Sequence, residues 1–150
     1  MSAYEIYLND EGFSLSNLLR KLCGSGSAVD GGYSFEVGDG LGLVCQNLEA
    51  IKGSLPLTRR DEARVKLDTI IRLNMYSATP DNYKKSNVIL SDLIRANRDD
   101  FIFAHEQGDF YFYRIAGQLK VVKHVYEAKD WFDLPTILDG IDFEFGPPLD

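Results

Sequence analysis

Cys45, His105 and His124 are the side chains with which this 150-residue sequence could assemble a nucleophile and its base. A thiol attacks carbonyl or phosphoryl centres when a histidine takes its proton. No local signature ties the three together. Cys45 lies in the apolar run "LGLVCQNL", and each histidine lies in a strand-like run, where His is commonly a packing or surface residue. Metal ligation has weaker support. The two histidines and the distant Cys23 and Cys45 show none of the short spacings of zinc sites. Asp139, Asp142 and Glu144 lack the loop pattern of a calcium site. Both cysteines sit among apolar residues and read as packed, inert thiols rather than a disulfide framework.

The stretch "GYSFEVGDGLGLVCQNLEAIKG" places Gly38, Gly40 and Gly42 at alternate positions after a strand-like run. A phosphate cradle needs backbone N–H groups converging on an anion, usually at a helix N-terminus. The dinucleotide fingerprint then requires glycine where Leu43 stands, and Asp39 would repel a phosphate. Gly26 and Gly31 have P-loop spacing, but Gly32 and Tyr33 follow in place of lysine and a hydroxyl. The Gly38–Gly42 stretch therefore reads as a turn with Asp39 as a cap, and no nucleotide or other cofactor is expected.

Charge is unevenly spread. Residues 1–58 carry 3 basic and 7 acidic side chains, residues 59–98 carry 9 and 5, and residues 99–150 carry 4 and 11, within a net charge of −7. Arg59, Arg60, Arg64, Lys66 and Arg72 could face nucleic acid, but Asp61, Glu62 and Asp68 interleave with them at helical neighbour distances. An acidic chain is also repelled by a phosphate backbone. Residues 127–150 hold seven acids against Lys129 alone, with Trp131 among them. In "DFYFYRI", alternation sends Phe110 and Phe112 to one side as core and Tyr111 and Tyr113 to the other. There the tyrosines either lie under helices or form an exposed face that docks a partner.

Elements must position these groups. Ala3–Leu8 reads as a strand, and Ser14 or Ser16 caps a helix to Leu22 with Leu15, Leu18, Leu19 and Leu22 on one stripe. "CGSGSAVDGG" reads as a loop of small residues and Gly32–Val37 as a strand. Leu41, Val44, Leu48 and Ile51 fit a helix, while Leu41, Leu43 and Cys45 fit a strand; the longer helical set and Gly53 as terminator favour the helix. Thr58 and Asp61 resemble a capping box for an amphipathic helix from Arg59 to Met75. Thr79–Pro80 starts another helix, running to Asn97 with a break near Ser86 and with Leu90, Leu93, Ile94 and Asn97 on one face. Residues 101–127 read as three strands joined by the turns "EQGD" and "AGQ", and a short helix follows at Pro135–Leu138. The expected fold is one α+β domain over residues 1–150: short N-terminal strands, central helices, then a three-stranded antiparallel meander and a short final helix. The length suits one core, and no apolar run reaches the roughly 20 residues of a membrane span. Nor does "MSAYEIYLND" form a signal peptide, so the expected location is the cytoplasm.

"FIFAHEQGDFYFYRIAGQLKVV" and "YEAKDWFDLPTILDGI", within residues 101–141, resemble the C-terminal half of bacterial immunity proteins of the SUKH type. The resemblance implies an inhibitory protein that binds and neutralises a cognate toxin, often a nuclease. The combined expectation is a non-enzymatic, acidic protein that blocks a protein partner with a basic surface and contacts neither nucleic acid nor membrane. Candidate contact residues are Tyr111, Tyr113, Asp130, Trp131, Asp133, Asp139, Asp142 and Glu144. A phage-encoded inhibitor of a host defence enzyme would share these features. The rival classes are an enzyme or ligand module using the Gly38–Gly42 turn, Cys45 and the histidines, and a structural subunit of an assembly.

Overall fold

In "AYEIYL" every side chain from Ala3 to Leu8 is buried, which requires a strand covered on both faces. In the computed structural model, which describes residues 2–10, 15–48, 67–105, 110–128 and 132–148, that strand is β1 (Ser2–Leu8), fifth of nine in one mixed sheet. The others are β2 (Ser27–Val29), β3 (Gly32–Gly38), β4 (Leu41–Asn47), β5 (Thr69–Met75), β6 (Phe101–His105), β7 (Phe110–Ile115), β8 (Gln118–Val122) and β9 (Glu144–Gly146). Their order is β2-β3-β4-β5-β1-β6-β7-β8-β9, antiparallel throughout except for the parallel β8–β9 pair. The described helices are α1 (Leu15–Cys23), α2 (Pro80–Ala96), α3 (Lys123–Ala128) and α4 (Leu134–Ile137). The fold is α+β, as its sequence implies.

One sheet face carries the larger core. Tyr4, Ile6 and Leu8 of β1 join Leu43, Cys45, Ile71, Leu73, Phe103 and Phe112 beneath Leu19 of α1, Leu90 and Leu93 of α2, and Leu134 and Ile137 of α4. On the opposite face Tyr7, Ile70, Ile102, Ala104 and Tyr113 form a smaller cluster with Leu48. On that same face lies an ion pair of cross-strand partners. Glu5, 1% exposed, accepts from Arg72 Nη2 at 2.9 Å.

The helix expected at residues 41–51 is not formed over its described part. Residues 41–47 are β4, and Leu41, Leu43 and Cys45 are its buried side. Asp39–Gly40 closes the β3–β4 hairpin, with Gly40 at φ 80° against Ser77, a conformation that favours glycine. Residues 69–75 are likewise β5 rather than the end of a helix. The adjacent Ile70 and Ile71 suit a helical stripe, but here they face the two cores separately. Residues 59–66 and Thr58 lie outside the described residues. The supposed loop "CGSGSAVDGG" contains β2, which pairs with β3 across Asp30–Gly31.

Other elements follow the local signals. Thr79 caps α2, its hydroxyl accepting from Asn82 N at 3.2 Å, with Pro80 at the first turn. The expected break at Ser86 does not occur: the helix is continuous, and the buried Ser86 hydroxyl is satisfied by donating to Asn82 O one turn earlier. For α1 the cap is Asp10, whose Oδ2 accepts from Leu15 N at 3.0 Å. Ser16 sits buried within the helix, and Ser14 lies outside the described residues. The β7–β8 turn places Ala116 and Gly117 at positive φ, and Asp100 accepts from both amides. The turn "EQGD" lies outside the described residues.

Candidate functional site

The tyrosines expected on one wet face are divided between the two cores. Phe103 pairs with Phe112, and Ala104 with Phe110, so the register shifts and Tyr111 is left in a bulge. Tyr111 therefore joins Phe112 on the helix-covered face, beside Phe103 (5.6 Å between centroids) and Tyr4 (6.1 Å). Tyr113 enters the smaller core. Its hydroxyl donates to Pro147 O at 2.8 Å and ties the segment after β9 to the sheet. Both are buried, which corrects the expectation of an exposed aromatic face.

Among the described residues of this half, the exposed aromatic side chain is Phe145, at 48%. β9 brings it into register with Val121 of β8, and α3 brings Tyr126 against it from the preceding chain. Tyr126, Phe143 and Phe145 form a closed triad with centroid separations of 5.3, 5.5 and 5.8 Å. Lys123 Nζ lies 5.9 Å from the Phe145 ring. Asp142 and Glu144, which alternate with the phenylalanines in sequence, are exposed, as are Glu127 of α3 and Asp139 after α4. Alternation in "DFEF", residues 142–145, thus interleaves acids with aromatics at the sheet edge. The phenylalanines were overlooked in favour of the acids between them, although this alternation is visible in the sequence.

Asp133 serves the fold. It caps α4, with Oδ1 accepting from Thr136 N at 3.3 Å and Oδ2 from Thr136 Oγ1 at 2.7 Å. The Asp139 carbonyl accepts from Arg95 Nη2 at 2.7 Å, leaving its side chain exposed. Asp130 and Trp131 lie outside the described residues.

The alternative chemistry is not assembled. Cys45 of β4 and His105 of β6 are separated by β5 and β1, three strand spacings or about 14 Å across the sheet. Cys45 is fully buried, and burial, with the Asp10 carboxylate adding to it, pushes its thiol up to about 12. Burial pushes Cys23 up to about 11. Neither is an ionised nucleophile near neutral pH. His124 is exposed on α3. The Gly38–Gly42 stretch is the β3–β4 hairpin, and the Asp39 carbonyl accepts from Asn82 Nδ2 at 2.9 Å. Arg72, expected on a helix among acids, pairs across strands with Glu5. Among the described residues no cluster of three or more His, Cys, Asp or Glu is placed to hold a metal. Nor is any helix among them long and apolar enough to cross a membrane.

Fold and surface together define a class: an α+β protein built on one broad sheet, with a partly exposed aromatic corner where β8, β9 and α3 meet. No protein-family model, curated protein or solved structure matches the chain.

Proposed function

We propose that this chain is a small, non-enzymatic binding protein that neutralises a protein partner through the corner formed by Tyr126, Phe143 and Phe145. The preferred version is an immunity protein acting in the cytoplasm on a bacterial toxin with a basic, nucleic-acid-handling surface. One observation carries the reading: a half-exposed Phe145 packed against Tyr126 and Phe143, on an edge segment whose exposed Asp142 and Glu144 alternate with the phenylalanines. Aromatic anchors supply buried contact area, and the alternating carboxylates steer a basic partner during encounter. The resemblance of residues 101–141 to SUKH-type immunity proteins supports the toxin as the partner.

The test begins with the protein that co-purifies from the native host, followed by binding kinetics and inhibition of that partner's activity. A variant carrying Asp139→Asn, Asp142→Asn and Glu144→Gln is expected to associate more slowly, with a shallower salt dependence, because exposed charges are screened beyond about 8–10 Å. Phe145→Ala is expected to dissociate at least tenfold faster with a nearly unchanged association rate. An unchanged association rate for the first variant at low salt, with an unchanged dissociation rate for the second, overturns the assignment of this corner. A partner that binds without losing activity overturns neutralisation.

A further inference from the structure

α1, the end of β3 and the first half of α2 enclose a second concave surface. It is an open groove of about 310 Å³ lined by Leu22, Val37, Val88 and Ile89, with Asp81, Lys84 and Lys85 on its rim. Its size is at the lower end of small-molecule sites, about 300–1,000 Å³. The lining is apolar and comes from three elements, so the cavity is preformed by the packing of α1 and α2 on the sheet. Val88 stays 51% exposed there, on a helix whose other apolar residues Ile89, Leu90, Leu93 and Ile94 are buried.

The rim charges are not equivalent. Lys85 is matched by Asp81, with Nζ 3.1 Å from Oδ2. Its ammonium is also drawn toward Gly38, where an added Cβ would lie 2.8 Å from Nζ. Lys84 is exposed and has no ion pair among the described residues. Lys21 is exposed in the last turn of α1, one residue before Leu22. In a chain of net charge −7, this groove presents apolar walls under surplus positive charge.

We infer that the groove between α1 and α2 binds a small amphipathic carboxylate, with its apolar body against Leu22, Val37, Val88 and Ile89 and its carboxylate at Lys84. An anionic head is favoured because exposed Lys84 offers it a charge-assisted partner at the mouth of the groove. A cationic head would meet the same ammonium as a like charge. The inference stands apart from the aromatic corner and does not depend on it.

The test uses three soluble probes with the same apolar body, namely octanoate, 1-octanol and octylammonium, followed by methyl-resolved NMR of the full-length protein. Octanoate is expected to shift the Leu22, Val37, Val88 and Ile89 methyls saturably. 1-Octanol should bind severalfold more weakly, and octylammonium at least tenfold more weakly. Lys84→Gln should reduce octanoate affinity at least fivefold while leaving the octanol titration unchanged, a result that misfolding could not produce. Equal affinity for octanoate and octylammonium, an unaltered octanoate titration in Lys84→Gln, shifts centred on Phe145, or no saturation below about 10 mM would each overturn the inference.

Discussion

The aromatic corner and the α1–α2 groove both leave apolar groups in water, but they rest on different foundations. The corner hangs on β9, three residues paired in parallel to the sheet edge and held from behind by the Tyr113 hydroxyl. The groove is framed by the 17-residue α2, whose buried side is part of the main core. The charges in their sequence also differ, with exposed Asp142 and Glu144 alternating with the corner's phenylalanines, and Lys84 and Lys85 against Asp81 at the groove. Apolar exposure alone therefore says little about what a surface binds. The charge at its rim selects the partner, and the strength of its support decides how far it can adapt.

Three perturbations would break or sharpen this contrast. The largest effect is expected from Phe103→Ala. Phe103 is fully buried against Phe112, Phe132 and Tyr111, in the main core on which both surfaces rest. The loss should be about 3–5 kcal/mol by chemical denaturation, with both surfaces losing protection together. Hydrogen exchange that rises at only one of them would show that they belong to separate cooperative units.

Tyr113→Phe should have a smaller and local effect, about 0.5–1.5 kcal/mol for one hydrogen bond. Amide exchange at Phe145 and Gly146 should accelerate while that at Ile89 and Leu90 stays fixed. Equal acceleration at both places would mean that β9 is not the weaker support.

The smallest effect concerns the buried thiol of β4, on the side of the sheet away from β9. Cys45 is neutral when folded, with its pKa raised from an ordinary value of 9.0 to about 12. Its contribution to stability is therefore fully present below the unfolded thiol's pKa and is lost as pH rises through about 9–12. Wild type should lose more stability between pH 8 and pH 10.5 than Cys45→Val, and Cys45 should resist thiol reagents at pH 8. Rapid labelling in the folded state would show that the core beneath β4 opens readily.

Local chemistry in the sequence was enough for some of these elements. Thr79–Pro80 marks the start of α2, alternation marks β6–β8, and Ala116–Gly117 marks the tight turn between β7 and β8. β4 and β5 were less legible. Val44 and Leu48 happen to fall at helical spacing from Leu41, and β5 is covered on both faces, so Ile70 and Ile71 erase the alternation that identifies a strand. At the corner, the acids were visible as a charged tail and the tyrosines as an alternating pair. The bulge at Tyr111 was not, because it arises from the register between β6 and β7 rather than from either strand.

The sequence by itself determined the α+β class, the acidic end, the long capped helix and the absence of nucleotide fingerprints, because each follows from residue types within a few positions of one another. Only the tertiary structure decided that Tyr111 and Tyr113 are buried on opposite faces, that Phe145 is exposed at the sheet edge, and that Lys84 lines a largely apolar groove. Those outcomes depend on which strands become neighbours and in what register, and a shift of one residue moves a side chain from one face of a sheet to the other.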